Sequence, residues 1–227
     1  MNVSSIAAAI GDPARARMLY GLLDGRARTS TELAVIGGIS PSTASAHLGR
    51  LQASRLVTVL AQGKHRYFSL RGEEVAAALE ALSVLAGGAS ATIASRTPQH
   101  LRAARTCYDH IAGGLGVALH QRLIALRWLS PEGTTSYHVT PAGRSGFTAL
   151  DIDVDAVQHA RRRFAFPCLD WSERRPHLGG GLAAALLRVA LKKRWVIQDL
   201  DSRALRVTRS GQREMEKRFG LGNLPTS

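Results

Sequence analysis

The chain has 227 residues, enough at roughly 100 to 200 residues per domain for one large domain or two small ones, each able to bury a core. Thirty Lys and Arg against seventeen Asp and Glu leave a formal charge of +13, which favours polyanionic partners, while 45% hydrophobic and 21% charged residues exclude the composition of a disordered chain. No apolar run is long enough to cross a bilayer, no leader-like segment opens the chain, and two cysteines are too few for a disulfide scaffold. A cytoplasmic chain without a membrane partner is expected, with Cys107 and Cys168 kept as thiols.

The charge is unevenly split. Residues 1–95 carry nine basic and six acidic side chains, a surplus of three, and residues 96–227 carry twenty-one and eleven, a surplus of ten.

Asp12-Pro13 predicts a helix start with Pro in the first turn, and Met18, Leu19, Leu22 and Leu23 recur at helical spacing up to Gly25. Thr29 or Ser30 opens a second helix through Glu32, Leu33 and Ile36, stopping at Gly37-Gly38. Ser40-Pro41 opens a third, with Ala44, Leu48 and Leu51 on its apolar side. Helix, Gly-containing turn and helix make a helix-turn-helix pattern.

The β-branched run Leu56 to Leu60, the turn Ala61-Gln62-Gly63-Lys64 and the segment His65 to Leu70 predict a hairpin, a wing with a basic tip. Glu73 to Leu85 returns to helix. Its face of Val75, Leu79, Leu82 and Leu85 asks for a partner helix, and Glu73, Glu74 and Glu80 read as a solvated face. Small residues from Gly87 to Thr92 before Arg96-Thr97-Pro98 mark a boundary.

Beyond it lies an internal repeat at a spacing of about 67 residues. His110-Ile111-Ala112-Gly113-Gly114-Leu115 matches His177-Leu178-Gly179-Gly180-Gly181-Leu182, Arg127-Trp128-Leu129 matches Arg194-Trp195-Val196, and Val139-Thr140 with Gly143 matches Val207-Thr208 with Gly211. Each copy predicts a helix beginning near the His, a Trp at its end, a β-hairpin and a Thr-capped helix. Cys107-Tyr108-Asp109 and Cys168-Leu169-Asp170 occupy equivalent ends, with six more residues between Cys and His in the second copy.

The expected fold class is therefore α+β: mainly α with short β-hairpins, an N-terminal winged helix-turn-helix, and a C-terminal domain of two winged-helix-like helix-hairpin-helix repeats. Residues 1–90 are the first domain, 91–100 a linker and 101–227 the second domain, with repeats at about 105–155 and 166–222.

In the third helix, Ser40, Ser42, Thr43, Ser45, His47 and Arg50 line the side away from the apolar residues. Small hydroxyl side chains let a helix N-terminus approach phosphates and base edges in the major groove, although Ser and Thr also serve as plain caps. Lys64, His65 and Arg66 on the wing add phosphate or minor-groove contacts. Taken together these residues predict binding to double-stranded DNA.

Ile10-Gly11-Asp12-Pro13-Ala14-Arg15, the run Ser40 to Leu51, Leu56-Val57 and Gly63 to Leu70 together resemble the ArsR/SmtB family of winged helix-turn-helix transcriptional regulators, over residues 3–86. The resemblance implies homodimers packed through the N-terminal and post-wing helices, bound to operator DNA and released by an inducer, and so a repressor rather than an enzyme. The metal-binding Cys pair common before the recognition helix in that family is replaced here by Glu32-Leu33-Ala34-Val35-Ile36-Gly37. The post-wing helix has no His, so no metal site carries over. The second half resembles a C-terminal extension found in longer members.

Cys107, Asp109, His110, Cys168, Asp170 and His177 are the sensor candidates. They could converge at a pseudo-symmetric centre and take a soft metal, a metalloid or an oxidant as inducer. Alternatively the cysteines are core residues and the Asp and His cap helices or bridge the copies. No resident cofactor is expected, and the inducer is open, with a small organic effector between the copies a further option. An enzyme built on the same Cys and His is the remote alternative, since Cys107 and His110 could share a helix face. Gly113-Gly114 and Gly180-Gly181 admit a phosphate-loop reading but lack a following Lys-Ser/Thr, so close packing explains them better. Trp128 and Trp195 read as core plugs. The runs Arg161 to Arg163, Arg174-Arg175 and Lys192 to Arg194 read as solvated faces that could extend a phosphate footprint.

Overall fold

Polar side chains set where the N-terminal helices begin. In the computed structural model of the chain, residues 2–62, 65–86, 98–199 and 202–222 are described, without the side chain of His65, so Lys64 and most of the expected linker lie outside the described residues. The chain divides into two units, Met1–Leu79 and Glu80–Ser227.

In the first unit the Asn2 side chain accepts from the Ser5 amide and starts α1 (Val3–Ile10). Asp12 accepts from the Ala14 and Arg15 amides and starts α2 (Pro13–Gly21), with Pro13 in the first turn, where a missing N–H costs nothing. Thr29 and Glu32 form a reciprocal capping box at the head of α3 (Ser30–Gly37), which ends at Gly38 in the left-handed region. Ser40 caps α4 (Pro41–Ala53). Met18, Leu19, Leu22, Leu23, Leu33, Ala44, Leu48 and Leu51 fill the core between these helices.

Strands β2 (Val57–Gln62) and β3 (His65–Leu70) pair from Val57↔Leu70 to Gln62↔His65 as the expected wing. A strand not foreseen in the sequence, β1 (Arg28–Thr29), pairs with β3 at Phe68 and Tyr67, giving the order β1-β3-β2. Two residues carry no period by which to be recognised. Helix α5 (Glu73–Ala86) follows.

In the second unit Glu80 corrects an expectation. It is not on a solvated face: it is 2% exposed and accepts from Arg203 Nη1 at 2.9 Å. An arginine 123 positions away cannot be seen in the period of a helix.

After α6 (Gln99–Ala103) come β4 (Arg105–Cys107), β5 (His110–Ala112), α7 (Gly113–Ala125), β6 (Leu129–Glu132), β7 (Ser136–Val139), α8 (Pro141–Thr148) and α9 (Val154–Gln158). Then follow β8 (Phe166–Leu169), β9 (Pro176–Gly179), α10 (Gly181–Lys192), β10 (Val196–Gln198), β11 (Leu205–Val207) and α11 (Arg209–Phe219). Consecutive strands pair as four antiparallel hairpins. The expected helix-hairpin-helix order is thus preceded each time by a further hairpin. His110 and His177, read as helix starts, lie on β5 and β9, with the helices opening three and four residues later at Gly113 and Gly181. Three-residue strands joined through Tyr108, held at φ 56° without a turn glycine, leave no strand signal in the sequence.

Helix α10 is buried on nearly every side and is the centre of this unit's core. Around it the hairpins exchange neighbours: the Thr106 amide of β4 donates to the Arg203 carbonyl, Leu205 of β11 donates to Ala104, and Tyr137 of β7 donates to Ala165. Trp195 is buried, and Trp128 packs edge-on against Phe147 and Phe219 at centroid distances of 5.2 and 5.6 Å, so both serve as packing residues. Among the described residues no helix is long and apolar enough to cross a membrane.

Thr140 and Thr208 cap α8 and α11 while their own amides donate to the Trp128 and Trp195 carbonyls. This draws each helix start onto the preceding hairpin so closely that a Cβ on Gly143 or Gly211 would sit 2.0 or 1.9 Å from those carbonyl oxygens. The obstacle is backbone and cannot swing away. Gly211→Ala is therefore expected to lower the unfolding free energy by about 3 kcal/mol or more, the upper end for overpacking. Gly49→Ala, with nothing within 4 Å of the added carbon, is expected to be neutral or slightly stabilising. Denaturant unfolding of the two variants checks the contrast.

Candidate nucleic-acid interface and a cysteine-histidine cluster

Ala44, Leu48 and Leu51 anchor α4 in the core, which leaves Ser40, Ser42, Thr43, Ser45 and Arg50 exposed on the outside of the helix. Ser40 Oγ lies 2.9 Å from Ser42 Oγ and 2.8 Å from Thr43 Oγ1, a small polar cluster at the positive end of the helix dipole. Such an end admits a phosphate closely and puts short donors and acceptors next to base edges. On the wing, Arg66 is exposed, opposite Ala61.

His47 is placed differently from its neighbours. It is half-buried against α2, with Nδ1 3.1 Å from Arg15 Nη1 and Nε2 3.9 Å from Asp12 Oδ1. Arg15 in turn donates through Nε to the Ala9 carbonyl at 2.6 Å and through Nη2 to Ala8 at 2.8 Å. One buried guanidinium thereby joins α1, α2 and α4 and fixes the angle at which α4 is presented. Sequence reasoning quoted Arg15 within a motif without this role, because its partners are backbone carbonyls, which no side-chain pattern reveals. The hydrogen bond from the Arg15 amide, with its guanidinium and His47 nearby, holds the Asp12 carboxyl below its usual range.

In the second unit the six sensor candidates are brought together in two layers. Cys107 and His110 face each other across the β4–β5 hairpin, and Cys168 and His177 across β8–β9. This also corrects the expectation that Cys107 and His110 share a helix face. The sulfurs lie 4.0 Å apart and the two imidazole Nε2 atoms 3.1 Å apart. All four groups can offer one ligand atom within 4.8 Å of every other. Cys107, His110 and His177 are buried and Cys168 is half-buried.

The carboxylates form the outer layer. Asp109 Oδ1 is 3.5 Å from His110 Nδ1 and Asp170 Oδ2 is 3.2 Å from His177 Nδ1. Asp109 accepts from Arg162 Nη1 and Nη2, at 2.7 and 3.3 Å. Asp170, without solvent exposure, accepts from Arg105 Nη2 at 2.8 Å, from the Ser172 and Glu173 amides and from the Gly113 amide at 2.7 Å. Arg105, equally buried, also lies 4.5 Å above the Trp171 ring. The six residues by which the Cys168–His177 spacing exceeds the Cys107–His110 spacing form the loop that folds Asp170 inward.

These contacts shift every group. Burial pushes the Asp109 carboxyl up, but His110 and Arg162 overcome it and hold it at about 2. Burial opposes a charged His110, and Asp109 with Cys168 beside it raise the imidazole to about 9. His177 is raised against burial by Asp170 and Cys168, and Asp170 is driven well below the carboxylate range by His177 and Arg105. Of the coupled sulfurs, Cys168 is lowered by the hydrogen bond from Cys107 with both imidazoles nearby, and the enclosed Cys107 is raised.

The glycine pairs hold no free anion cradle. The Gly113 amide is taken by Asp170, and the Gly181 and Leu182 amides donate to the Arg163 and Phe164 carbonyls. The basic runs are partly engaged internally, Arg162 with Asp109 and Lys193 with Asp151 at 2.7 Å. A cavity of about 10 Å³ between α7 and α10, lined by Ile111, Leu119, His120, Leu123, Leu178 and Leu186, has room for about one water.

A profile described as MarR family matches residues 12–66, a neighbouring assignment to the ArsR/SmtB resemblance drawn from the sequence. The chain is 36% identical over 222 residues to the uncharacterized HTH-type transcriptional regulator YdfF of Bacillus subtilis (strain 168), spanning 97% of this chain and 98% of that one. Among solved structures it is similar to the homodimeric winged helix-turn-helix DNA-binding domain of a possible ArsR-family regulator from Mycobacterium bovis, at 30% identity over 37% of this chain and 77% of that chain, with a TM-score of 0.35. NolR from Sinorhizobium fredii is similar at 29% identity over 36% of this chain and 81% of its own, with a TM-score of 0.34.

Removing one partner of the Asp170–Arg105 pair leaves a charge with no solvent. Asp170→Ala is expected to cost about 3 to 5 kcal/mol of unfolding free energy. Arg144→Ala, at an exposed ion pair with Asp155, is expected to change it by under about 1 kcal/mol. Urea titration of the two variants measures the difference.

Proposed function

The chain belongs to the family of HTH-type transcriptional regulators, with a DNA-binding winged helix in its first unit, and from that premise we propose that it is a homodimeric repressor that holds a duplex operator until an inducer releases it. The observation that carries the DNA reading is α4: an inward apolar stripe and an outward face of Ser40, Ser42, Thr43, Ser45 and Arg50 at a capped N-terminus. Hydroxyls and the helix end select and position, while Arg50, Lys64, His65 and Arg66 supply phosphate attraction. His47 acts by bracing α4 through Arg15 and Asp12.

Self-association is read from α5, where Leu82 is 39% and Leu85 74% exposed at the end of an apolar stripe. A second copy of the same helix is the occupant that the family resemblance implies. We read residues 1–90 as the DNA-binding and dimerisation domain, 91–100 as the linker, and 101–227 as a duplicated sensory or dimer-bracing domain. Support for duplication is the recurring order of hairpin, helix, hairpin and Thr-capped helix with a Gly against a Trp carbonyl. The one-water cavity between α7 and α10 is too small for an organic effector, whereas an open pocket of about 410 Å³ lined by Ile152, Val157, Ala185, Val189 and Lys193 has room for one, so that pocket and the cysteine-histidine cluster are the two candidate addresses for the inducer.

Fluorescence anisotropy with the chain's own promoter DNA, across a salt series, tests the reading. Arg50→Ala and Arg66→Ala are each expected to weaken binding to all duplexes and to reduce the salt slope by about 1. Thr43→Glu places a negative charge against phosphate and is expected to weaken binding by about 100-fold or more. Unchanged binding in Thr43→Glu would exclude α4 as the reading helix. The double variant Leu82→Glu, Leu85→Glu is expected to sediment as a monomer and to bind more weakly, and a dimer surviving it would remove α5 from the interface.

A further inference from the structure

The two hairpins of the second unit converge on a set of atoms that packing alone does not require. We propose that Cys107 Sγ, Cys168 Sγ, His110 Nε2 and His177 Nε2 form a closed, four-coordinate site for one zinc-class divalent ion per chain, and that the ion locks the β4–β5 hairpin to the β8–β9 hairpin.

Shape is the first argument. Four ligands at the Zn–S and Zn–N bond lengths of a tetrahedral site stand ~3.8 Å apart between sulfurs and ~3.3 Å apart between nitrogens. The observed separations are 4.0 and 3.1 Å, and every pair in the set is within 4.8 Å. Two sulfurs and two imidazole nitrogens in this shape select zinc-class ions over oxygen-seeking calcium or magnesium.

The outer layer is the second. Both Nε2 atoms point inward while both Nδ1 atoms face carboxylates, Asp109 at 3.5 Å and Asp170 at 3.2 Å. Carboxylates beside Nδ1 favour the tautomer with its proton on Nδ1 and its lone pair on Nε2, the form that binding an ion through Nε2 requires.

Charge is the third. Two thiolates and two neutral imidazoles balance one dication, and the carboxylates behind them are balanced by Arg162 and Arg105. A loaded site is therefore neutral layer by layer, which burial demands. A disulfide between Cys107 and Cys168 would need the sulfurs to close from 4.0 Å to about 2.05 Å and would leave the paired imidazoles without a purpose.

The experiment uses the full chain, reduced and stripped of metal by chelator, titrated with Co²⁺ and then Zn²⁺ in the absence of DNA. Because no operator is present, its outcome is independent of the proposed repressor function. Expected are one equivalent per chain, the intense visible bands of four-coordinate cobalt with sulfur-to-cobalt charge transfer, and their loss on adding one equivalent of Zn²⁺. X-ray absorption of the zinc form should show two sulfur and two nitrogen neighbours. Cys168→Ser should lose the charge-transfer intensity of one sulfur and at least about 100-fold in affinity, and Asp109→Asn, which acts through His110, about 10- to 100-fold. Zinc should raise the unfolding temperature of the wild-type chain and not that of Cys168→Ser. If Cys168→Ser does not fold, His110→Gln and the wild-type absorption data decide. A folded, reduced chain that takes up no stoichiometric cobalt, a site showing six oxygen neighbours, or equal binding by wild type and His110→Gln would overturn the proposal. So would a chain that forms the Cys107–Cys168 disulfide in air with Zn²⁺ present in excess.

Discussion

Asp170 is the group on which the second unit depends. An ionised carboxylate without solvent persists only if its oxygens are fully hydrogen-bonded and its charge is met. Oδ1 accepts from Arg105, Ser172 and Glu173, while Oδ2 accepts from the Gly113 amide and faces His177. One side chain thereby fixes strand β4, the β8–β9 loop, the start of α7 and the orientation of an imidazole. The place of a phosphate at that helix start is taken by an internal anion. The same contact that looks like a cap is also what aims His177 at His110, so capping and site-building are one interaction.

That constraint spans the sequence. Cys107 and Cys168 are 61 residues apart, and Arg105 and Asp170 are 65 apart. Hydrogen bonds from β4 to the segment before β11, and from β7 to the residue before β8, join the two stretches a second and third time. Closing such long loops is costly in entropy, and each link made first lowers the cost of the others. The ion pair of Asp170 and Arg105 is dry and polar, so its stabilisation is modest, but it allows one arrangement of the hairpins where apolar packing alone would allow several.

Legibility followed the range of the interactions. Caps, turns and apolar periods are local, and Asp12, Thr29 with Glu32, Ser40, Thr140 and Thr208 all stand where the sequence placed them. The wing was equally legible, since Val57 to Leu70 pairs about a single turn. The strands β4, β5, β8 and β9 were not, because they hold three or four residues each and exist through pairing and packing rather than propensity. Glu80 was misjudged for the same reason: its partner, Arg203, is supplied by a distant segment. The six sensor candidates were found by their repetition, yet their division into four converging atoms and two carboxylates behind them required the hairpin register. The family resemblance was approximate as well, since the profile described as MarR family matches residues 12–66, which include most of the residues that carried the ArsR/SmtB resemblance.

The distribution of charge separates two tasks. The residues before position 96 carry a surplus of only three, so attraction to phosphate cannot by itself make α4 discriminate among sequences. On the proposed reading of α4 as the DNA-contacting helix, discrimination comes from placement, and placement depends on Arg15, whose guanidinium donates to the Ala8 and Ala9 carbonyls, meets His47 and lies 3.8 Å from the Asp12 carboxylate, all within the first unit. A buried arginine used as a brace is a cation removed from the electrostatic attraction and added to the geometry. In the second unit the acidic side chains are largely drawn into ion pairs, with Arg105, Arg162, Lys193, Arg203 and Arg206 among the partners. Each such pair cancels locally, and the unit's surplus of nine, twenty-one basic against twelve acidic side chains with Glu80 counted, is spread over the remaining basic residues. The larger charge surplus and the outward face of α4 therefore lie on different residues of the same chain, so a charge change confined to residues 96–227 leaves that face's side chains unaltered.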